Sequence, residues 1–316
     1  MATLLWLQTG ACGGESLALL EAHSPSLEQL LSGWSVELLW HPSLSHAPMK
    51  QFEALVDRII GGEQVLDLLC VEGSIITAPR GTGLFDPWRD KGKKDLVEAL
   101  AALAAQAGAV VAMGTCASFG GIHAAPPNPS DCIGLQFDHS RPGGLLPPEW
   151  RSRRGLPVIN LAGCPAHPHT MTQTLAALAG GLPIELDGLN RPASHFSTVV
   201  HQGCTRNEYH EYDVEETQPG GKACLFFNLG CQGPMTQAVC NSDLWNGVSS
   251  KTRAGVPCFG CTSPEFPRSA DLFRTEKVGE VPIRLPLGVE RPRYMAYKNL
   301  ARAAAPLRVR DKKMEP

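Results

Sequence analysis

"LLWLQTGACGGESLALL", residues 4–20, joins an apolar run to a helix-like pattern through a glycine-rich turn. The run "TLLWLQ" (3–8) reads as a buried strand, and "SLALLEA" (16–22) as a helix with one apolar face. Strand, tight turn and helix form the opening unit of an α/β fold. The turn carries Cys12-Gly13-Gly14-Glu15, which is C-x-x-C spacing with a carboxylate where the second thiol would stand.

Working outward, the same alternation continues. "SVELLW" (35–40), "VLDLLCVEG" (65–73), "AVVAM" (109–113) and "LPVINLAG" (156–163) read as further strands. "MKQFEALVDRII" (49–60), "KKDLVEALAALAAQAG" (93–108) and "TMTQTLAALAGG" (170–181) read as helices, each stopped by glycine. Short apolar strands separated by helices imply a parallel sheet covered on both faces. The expectation is a flavodoxin-like doubly wound domain over residues 1–185. Residues 186–316 change character: periodicity weakens and Gly, Pro, Asn and Cys become dense. Six cysteines and His201 fall between 201 and 261, so this irregular second domain is expected to be held by bound metal.

Composition excludes several classes. The chain has 316 residues, 43% hydrophobic and 19% charged, as in a globular protein with a sizeable core. A net charge of −3 gives no nucleic-acid footprint. No apolar run is long enough to span a membrane. The N-terminus has neither a basic region nor a twin-arginine pair before its apolar run, so it reads as a strand and not as an export signal. Eleven cysteines, an odd number, argue against a disulfide framework and for a reducing cytoplasm. Peripheral membrane association stays open. The basic ending "RVRDKKMEP" (308–316) reads as a solvated or partner-facing tail.

Cys12, Cys116 and Cys164 share one property. Each lies just past the carboxyl end of an expected strand, in "WLQTGAC", "VVAMGTC" and "INLAGCP". Ligands in open α/β sheets bind outside those ends. Gly10, Gly114 and Gly163 allow the close turns this needs. One buried cysteine would need no explanation, but three at equivalent strand ends point to a shared metal site. Glu15 is the fourth ligand by spacing; as a first-turn acid it would equally suit the helix dipole. The two readings stand side by side.

The second half offers seven more ligands. His201, Cys204, Cys224 and Cys231 make a four-ligand set for a [4Fe-4S] cluster or a zinc ion. Cys240, Cys258 and Cys261 leave only three thiolates. Structural zinc wants four protein ligands, whereas a three-iron cluster needs one thiolate per iron. The combination favours iron–sulfur clusters over zinc.

These segments together resemble the small subunit of [NiFe] hydrogenases, in particular the cytoplasmic group of cyanobacterial-type uptake enzymes and hydrogen sensors. "WLQTGACGGES", "LLWHPSLS", "LCVEGSI", "GTCASFGGI", "GLPVINLAGCPAHP", "HQGCTRNEY", "LFFNLGCQGP" and "KTRAGVPCFGCTSPEFP" carry the resemblance. It implies an electron relay of three clusters. The proximal cluster would use Cys12, Cys116 and Cys164, with Glu15 where most relatives have cysteine, as a carboxylate-bound [4Fe-4S] or a [3Fe-4S]. A distal [4Fe-4S] cluster would use His201, Cys204, Cys224 and Cys231. A medial [3Fe-4S] cluster would use Cys240, Cys258 and Cys261, since Lys251 stands where four-iron relatives have a further cysteine. Gly14 and Gly121 occupy the places of the two extra cysteines of some oxygen-tolerant relatives. The partner implied is a large subunit that bears the nickel–iron site, in a heterodimer or larger oligomer, with the electron acceptor unspecified. No residue of this chain is expected to act on H2 itself. The alternatives are a regulatory H2-sensing hydrogenase and a zinc-stabilised structural protein. A single-cluster subunit of respiratory complex I shares the first half but lacks the second cysteine array.

Other residues carry weaker expectations. Cys70 reads as core and Cys132 as a surface thiol. Glu72, at a strand end, could face the proximal crevice or be a solvated loop acid. His41, His46, His123, His167 and His169 read as structural. "RGTGLF" (80–85) lacks the pattern and lysine of a phosphate loop, so no nucleotide is expected.

Overall fold

The computed structural model describes residues 1–83, 95–268 and 272–313. It divides into two compact units: Met1–Ser194 with Thr262–Phe266, and His195–Cys261 with Pro267–Pro316.

The first unit is built on five strands: β1 (Ala2–Gln8), β2 (Val36–Trp40), β3 (Leu66–Glu72), β4 (Ala107–Met113) and β5 (Ile159–Leu161). All neighbours pair parallel in the order β2-β1-β3-β4-β5, the flavodoxin-like arrangement expected. Every residue of β4 is buried, as are six of the seven in β3, because helices cover both faces of a parallel sheet.

Its helices of six residues or more are α1 (Gly14–Leu20), α2 (Leu27–Gly33), α3 (Met49–Ile60), α4 (Leu96–Gln106), α5 (Gly114–Phe119) and α6 (Pro168–Ala179). On α3, Phe52, Leu55, Val56 and Ile59 form one apolar face and join the core with Leu5, Leu69, Leu100 and Val110. The expected helix at 93–108 ends at Gln106, and Gly108 lies inside β4 instead of stopping the helix. A Cβ there would sit 2.8 Å from the Asp67 carbonyl oxygen, so glycine serves a close strand approach. Lys93 and Lys94 of that expected helix, and Leu84 and Phe85 of the glycine-rich stretch, lie outside the described residues.

The second unit has little regular structure. Tyr209, Leu225, Phe226, Phe227 and Val309 form a small core that also takes in Cys224, Cys231 and Cys258. Its longest helix is α8 (Arg291–Ala304), and α7 is the short Asn207–Glu211. Of the basic C-terminal segment, the described residues 308–313 are not a loose tail. Val309 is fully buried, Arg308 pairs with Glu208, and Lys312 Nζ lies 2.9 Å from Glu216. One apolar anchor and two acidic partners hold what composition alone suggested was solvated.

Candidate metal centres

In the first unit, strand register lines up the site. Gln8 pairs with Glu72, Glu72 with Met113, and Met113 with Leu161, a single row across the carboxyl edge of the sheet. Cys12 follows this row by four residues, and Cys116 and Cys164 by three each. Cys12 and Glu15 both bear electrostatically on the Cys116 thiol. The Glu15 carboxyl accepts the Ala166 N–H, two residues beyond Cys164. The turn after the first strand, its helix and the turns after β4 and β5 thus lie beside one another.

Glu15 is 6% exposed, and burial, followed by the nearby Glu72 carboxylate, pushes its pKa up to about 8. The room it occupies exists because residue 114 is glycine. Gly114 has φ +82°, and a Cβ there would lie 1.9 Å from Glu15 Oε1. Burial also pushes the Cys116 thiol up to about 11, while the N–H groups of Ile122 and His123 donate to its sulfur. A buried sulfur supplied with donors suits a thiolate whose charge is shared with metal. A Cβ at Gly121 would stand 2.7 Å from Cys116 Sγ, and one at Gly14 would stand 3.2 Å from Cys12 Sγ. Both glycines therefore border the thiols.

Glu72 is the carboxylate the sequence left undecided. It is fully buried at the end of β3, not solvated in a loop. Trp6 Nε1 (2.9 Å), Gln8 Nε2 (3.1 Å) and Ser16 Oγ (2.5 Å) donate to its Oε2. Its Oε1 has no hydrogen-bond partner among the described residues. His41 backs this network: the Ser43 N–H donates to Nδ1, leaving Nε2–H to reach Ser16 Oγ at 3.2 Å. The alternation of Trp6 and Gln8 on one strand face was the signal that could have found it.

In the second unit, His201, Cys204, Cys224 and Cys231 line one cavity together with Arg206. Arg206 is buried, its Nε donating to the Thr252 carbonyl at 2.7 Å and its Nη1 to those of Ala223, at 2.8 Å, and Gly221. Its charge reaches Cys204, Cys224 and Cys231. The Phe226 N–H donates to Cys224 Sγ at 3.4 Å, and the Cys258 N–H to Cys231 Sγ at 3.3 Å. His210, which spacing does not single out, places Nδ1 3.4 Å from Cys224 Sγ. Burial lowers the pKa of both histidines, that of His210 to about 3, and keeps the rings in the neutral form that ligates metal or donates one proton.

The third set lies in the same unit. Cys240, Cys258 and Cys261 bear on one another electrostatically, and Cys258 also on Cys231, so this set adjoins the second. Burial pushes Cys240 up to about 11 and Cys258 well above its ordinary value, while the Gly260 N–H donates to the Cys258 sulfur. Lys251 lies within charge range of Cys240, its Nζ 5.7 Å from the Trp245 ring centroid.

The donor chemistry of the three sets fits thiolate-bound clusters: sulfurs that range from exposed (Cys12) to buried (Cys224, Cys231 and Cys258), amide donors on one or more sulfurs of each set, and a neutral imidazole in one set. Cys70 is core, as expected. Cys132 is buried at 2% exposure and not a surface thiol, because Cys132-Ile133 pairs with Ile75-Ile76 in a short ladder and the Cys132 N–H is held by Asn128 Oδ1.

The chain is similar to known proteins. Residues 196–274 match the family model for the C-terminal part of the NiFe/NiFeSe hydrogenase small subunit. Residues 12–178 match the one described as NADH ubiquinone oxidoreductase, 20 Kd subunit. The F420 non-reducing hydrogenase II small subunit of Methanosarcina mazei is 34% identical over 292 residues, covering 84% of this chain and 73% of that protein. The periplasmic [NiFe] hydrogenase small subunit 1 of Nitratidesulfovibrio vulgaris is 30% identical, covering 84% and 79%. Among solved structures, the actinobacterial-type NiFe-hydrogenase from Ralstonia eutropha H16 aligns with a TM-score of 0.79 at 33% identity, covering 100% of this chain and 92% of that one.

Proposed function

The chain belongs to the small subunits of [NiFe] hydrogenases, the electron-transferring subunits of oxidoreductases that act on H2, and on that premise we propose how its own residues hold the family's iron–sulfur clusters. Catalysis on H2 resides in the large subunit with its nickel–iron site. Cys12, Cys116, Cys164 and Glu15 hold the proximal cluster, and Cys240, Cys258 and Cys261 a medial [3Fe-4S] cluster. His201, Cys204, Cys224 and Cys231 hold a distal [4Fe-4S] cluster. When bound, the clusters supply one-electron transfer between the large subunit and an acceptor.

The residues around them do the tuning. Amide donors stabilise thiolate charge. Arg206 offsets the charge of the distal thiolates. His201, a neutral ligand in place of a thiolate, lowers the net negative charge and raises the distal potential. At the proximal site the carboxylate of Glu15 replaces a softer sulfur and changes both potential and lability. The chain works in H2 oxidation in the cytoplasm, where a reducing environment keeps so many cysteines as metal ligands. No helix among the described residues is long and apolar enough to cross a membrane.

The observation that carries this reading is the single cavity lined by all four distal ligands. The test is electron paramagnetic resonance with iron and sulfide analysis of the purified small–large complex. Cys116→Ser, Cys204→Ser and Cys258→Ser should each remove or alter a different cluster signal. Two of these substitutions acting on the same signal, or one acting on none, would overturn the assignment.

A further inference from the structure

Two rings meet at the edge of the distal set. His201 is an assigned ligand; His210 lies nine residues on, in α7. Their centroids are 4.4 Å apart with planes tilted by 66°. Phe227 stacks on His210 at 5.2 Å and 18°, and Phe226 meets it edge-on at 5.2 Å. These contacts fix the ring so that Nδ1 points at Cys224 Sγ, 3.4 Å away.

We propose that His210 is a positioning residue for the distal cluster, holding the Cys224 sulfur through Nδ1–H and steadying the His201 ligand with its ring edge. The inference rests on the assignment of His201, Cys204, Cys224 and Cys231 to one cluster.

The chemistry fixes the direction of the effect. A thiolate on iron carries no proton and can only accept, so Nδ1 must be the protonated nitrogen. An N–H···S bond draws charge from the sulfur and favours the more negative, reduced cluster, which raises its potential. The other donors seen on these sulfurs, the amides of Phe226, Gly233 and Cys258, belong to the backbone, and a change of side chain short of proline leaves them in place. His210 is a side-chain donor, and so an adjustable one. Holding His201 also limits how far a ligand on a 3-10 turn (Val200–Gly203) can swing between oxidation states.

The test uses the small–large complex with His210→Phe, which keeps a ring and removes the donor, and His210→Asn, whose amide can still reach the sulfur. The readouts are iron content and the cluster potentials from a redox titration followed by electron paramagnetic resonance. His210→Phe should retain iron and move the distal potential downward while leaving the medial potential in place; His210→Asn should recover part of the shift. An unmoved distal potential in His210→Phe overturns the proposal. So does loss of distal iron in both variants, which would make His210 a ligand. A distal signal that ignores Cys204→Ser would remove the parent assignment instead, and this inference with it.

Discussion

At the scale of single residues, Glu15 and the glycine facing it matter most. The carboxyl fits only because residue 114 lacks a Cβ, so Gly114→Ala should displace it. A left-handed φ at a non-glycine residue costs on the order of 1–3 kcal/mol by itself. The expected result is reduced proximal iron with the medial and distal signals intact. Glu15→Cys should shift the proximal spectrum toward an all-thiolate cluster; an unchanged spectrum would mean that the carboxylate does not touch iron. Lys251→Cys should convert the medial cluster to a four-iron form and remove the three-iron signal from the oxidised complex. Asp213, which is not itself a ligand, supplies a pH test. It is buried, and neither carboxylate oxygen has a hydrogen-bond partner among the described residues. Desolvation raises its pKa from the ordinary 3.8 to about 6, with Lys298 partly opposing. A raised acid favours the folded state when protonated, so its contribution is full below about pH 4 and is lost as pH rises through about 6. Asp213→Asn should therefore stabilise the complex at pH 7, by on the order of 1 kcal/mol, and have little effect at pH 4. Thermal unfolding at the two pH values measures it.

At the scale of elements, the strands and the long helices of the first unit were legible because burial on both faces demands continuous apolar runs. The cysteines at strand ends were legible for the same reason: once the strands are placed, register puts Gln8, Glu72, Met113 and Leu161 in one row. Helix α2 was not legible. Its segment is short, and only Leu30 is buried, so periodicity is faint. Its start is set instead by a capping box, with Ser26 Oγ accepting the Gln29 N–H and the Gln29 side chain accepting the Ser26 N–H. Ser26→Ala should cost about 1 kcal/mol of stability and leave every cluster signal unchanged. The C-terminal segment reads as solvated because charge dominates its composition, while its docking depends on Val309 and on acids a hundred residues earlier. His210 escapes, and Glu72 stays undecided, for a related reason. What they do is set by partners from other segments: Cys224 for His210, which spacing does not reveal, and Trp6, Gln8 and Ser16 for Glu72, where only the alternation of Trp6 and Gln8 on one strand face hints at it.

At the scale of the whole molecule, the two units solve the same problem by different means. The first builds a large aliphatic core and presents ligands from its sheet edge. The second has a small aromatic core into which its own ligand cysteines are packed. Removal of iron should therefore unfold the second unit preferentially. A chelator-treated chain should lose protection from proteolysis after residue 195 while the parallel-sheet unit persists. Equal loss in both units would show that the metal does not carry the second fold.

The account turns on three ligand sets each holding iron. The most direct measurement is an anomalous diffraction map of the small–large complex at the iron edge. It should show three iron clusters in this chain, one among Cys12, Glu15, Cys116 and Cys164, one among Cys240, Cys258 and Cys261, and one among His201, Cys204, Cys224 and Cys231. Any of the three sets found without iron, or an iron cluster held by other residues, would contradict it.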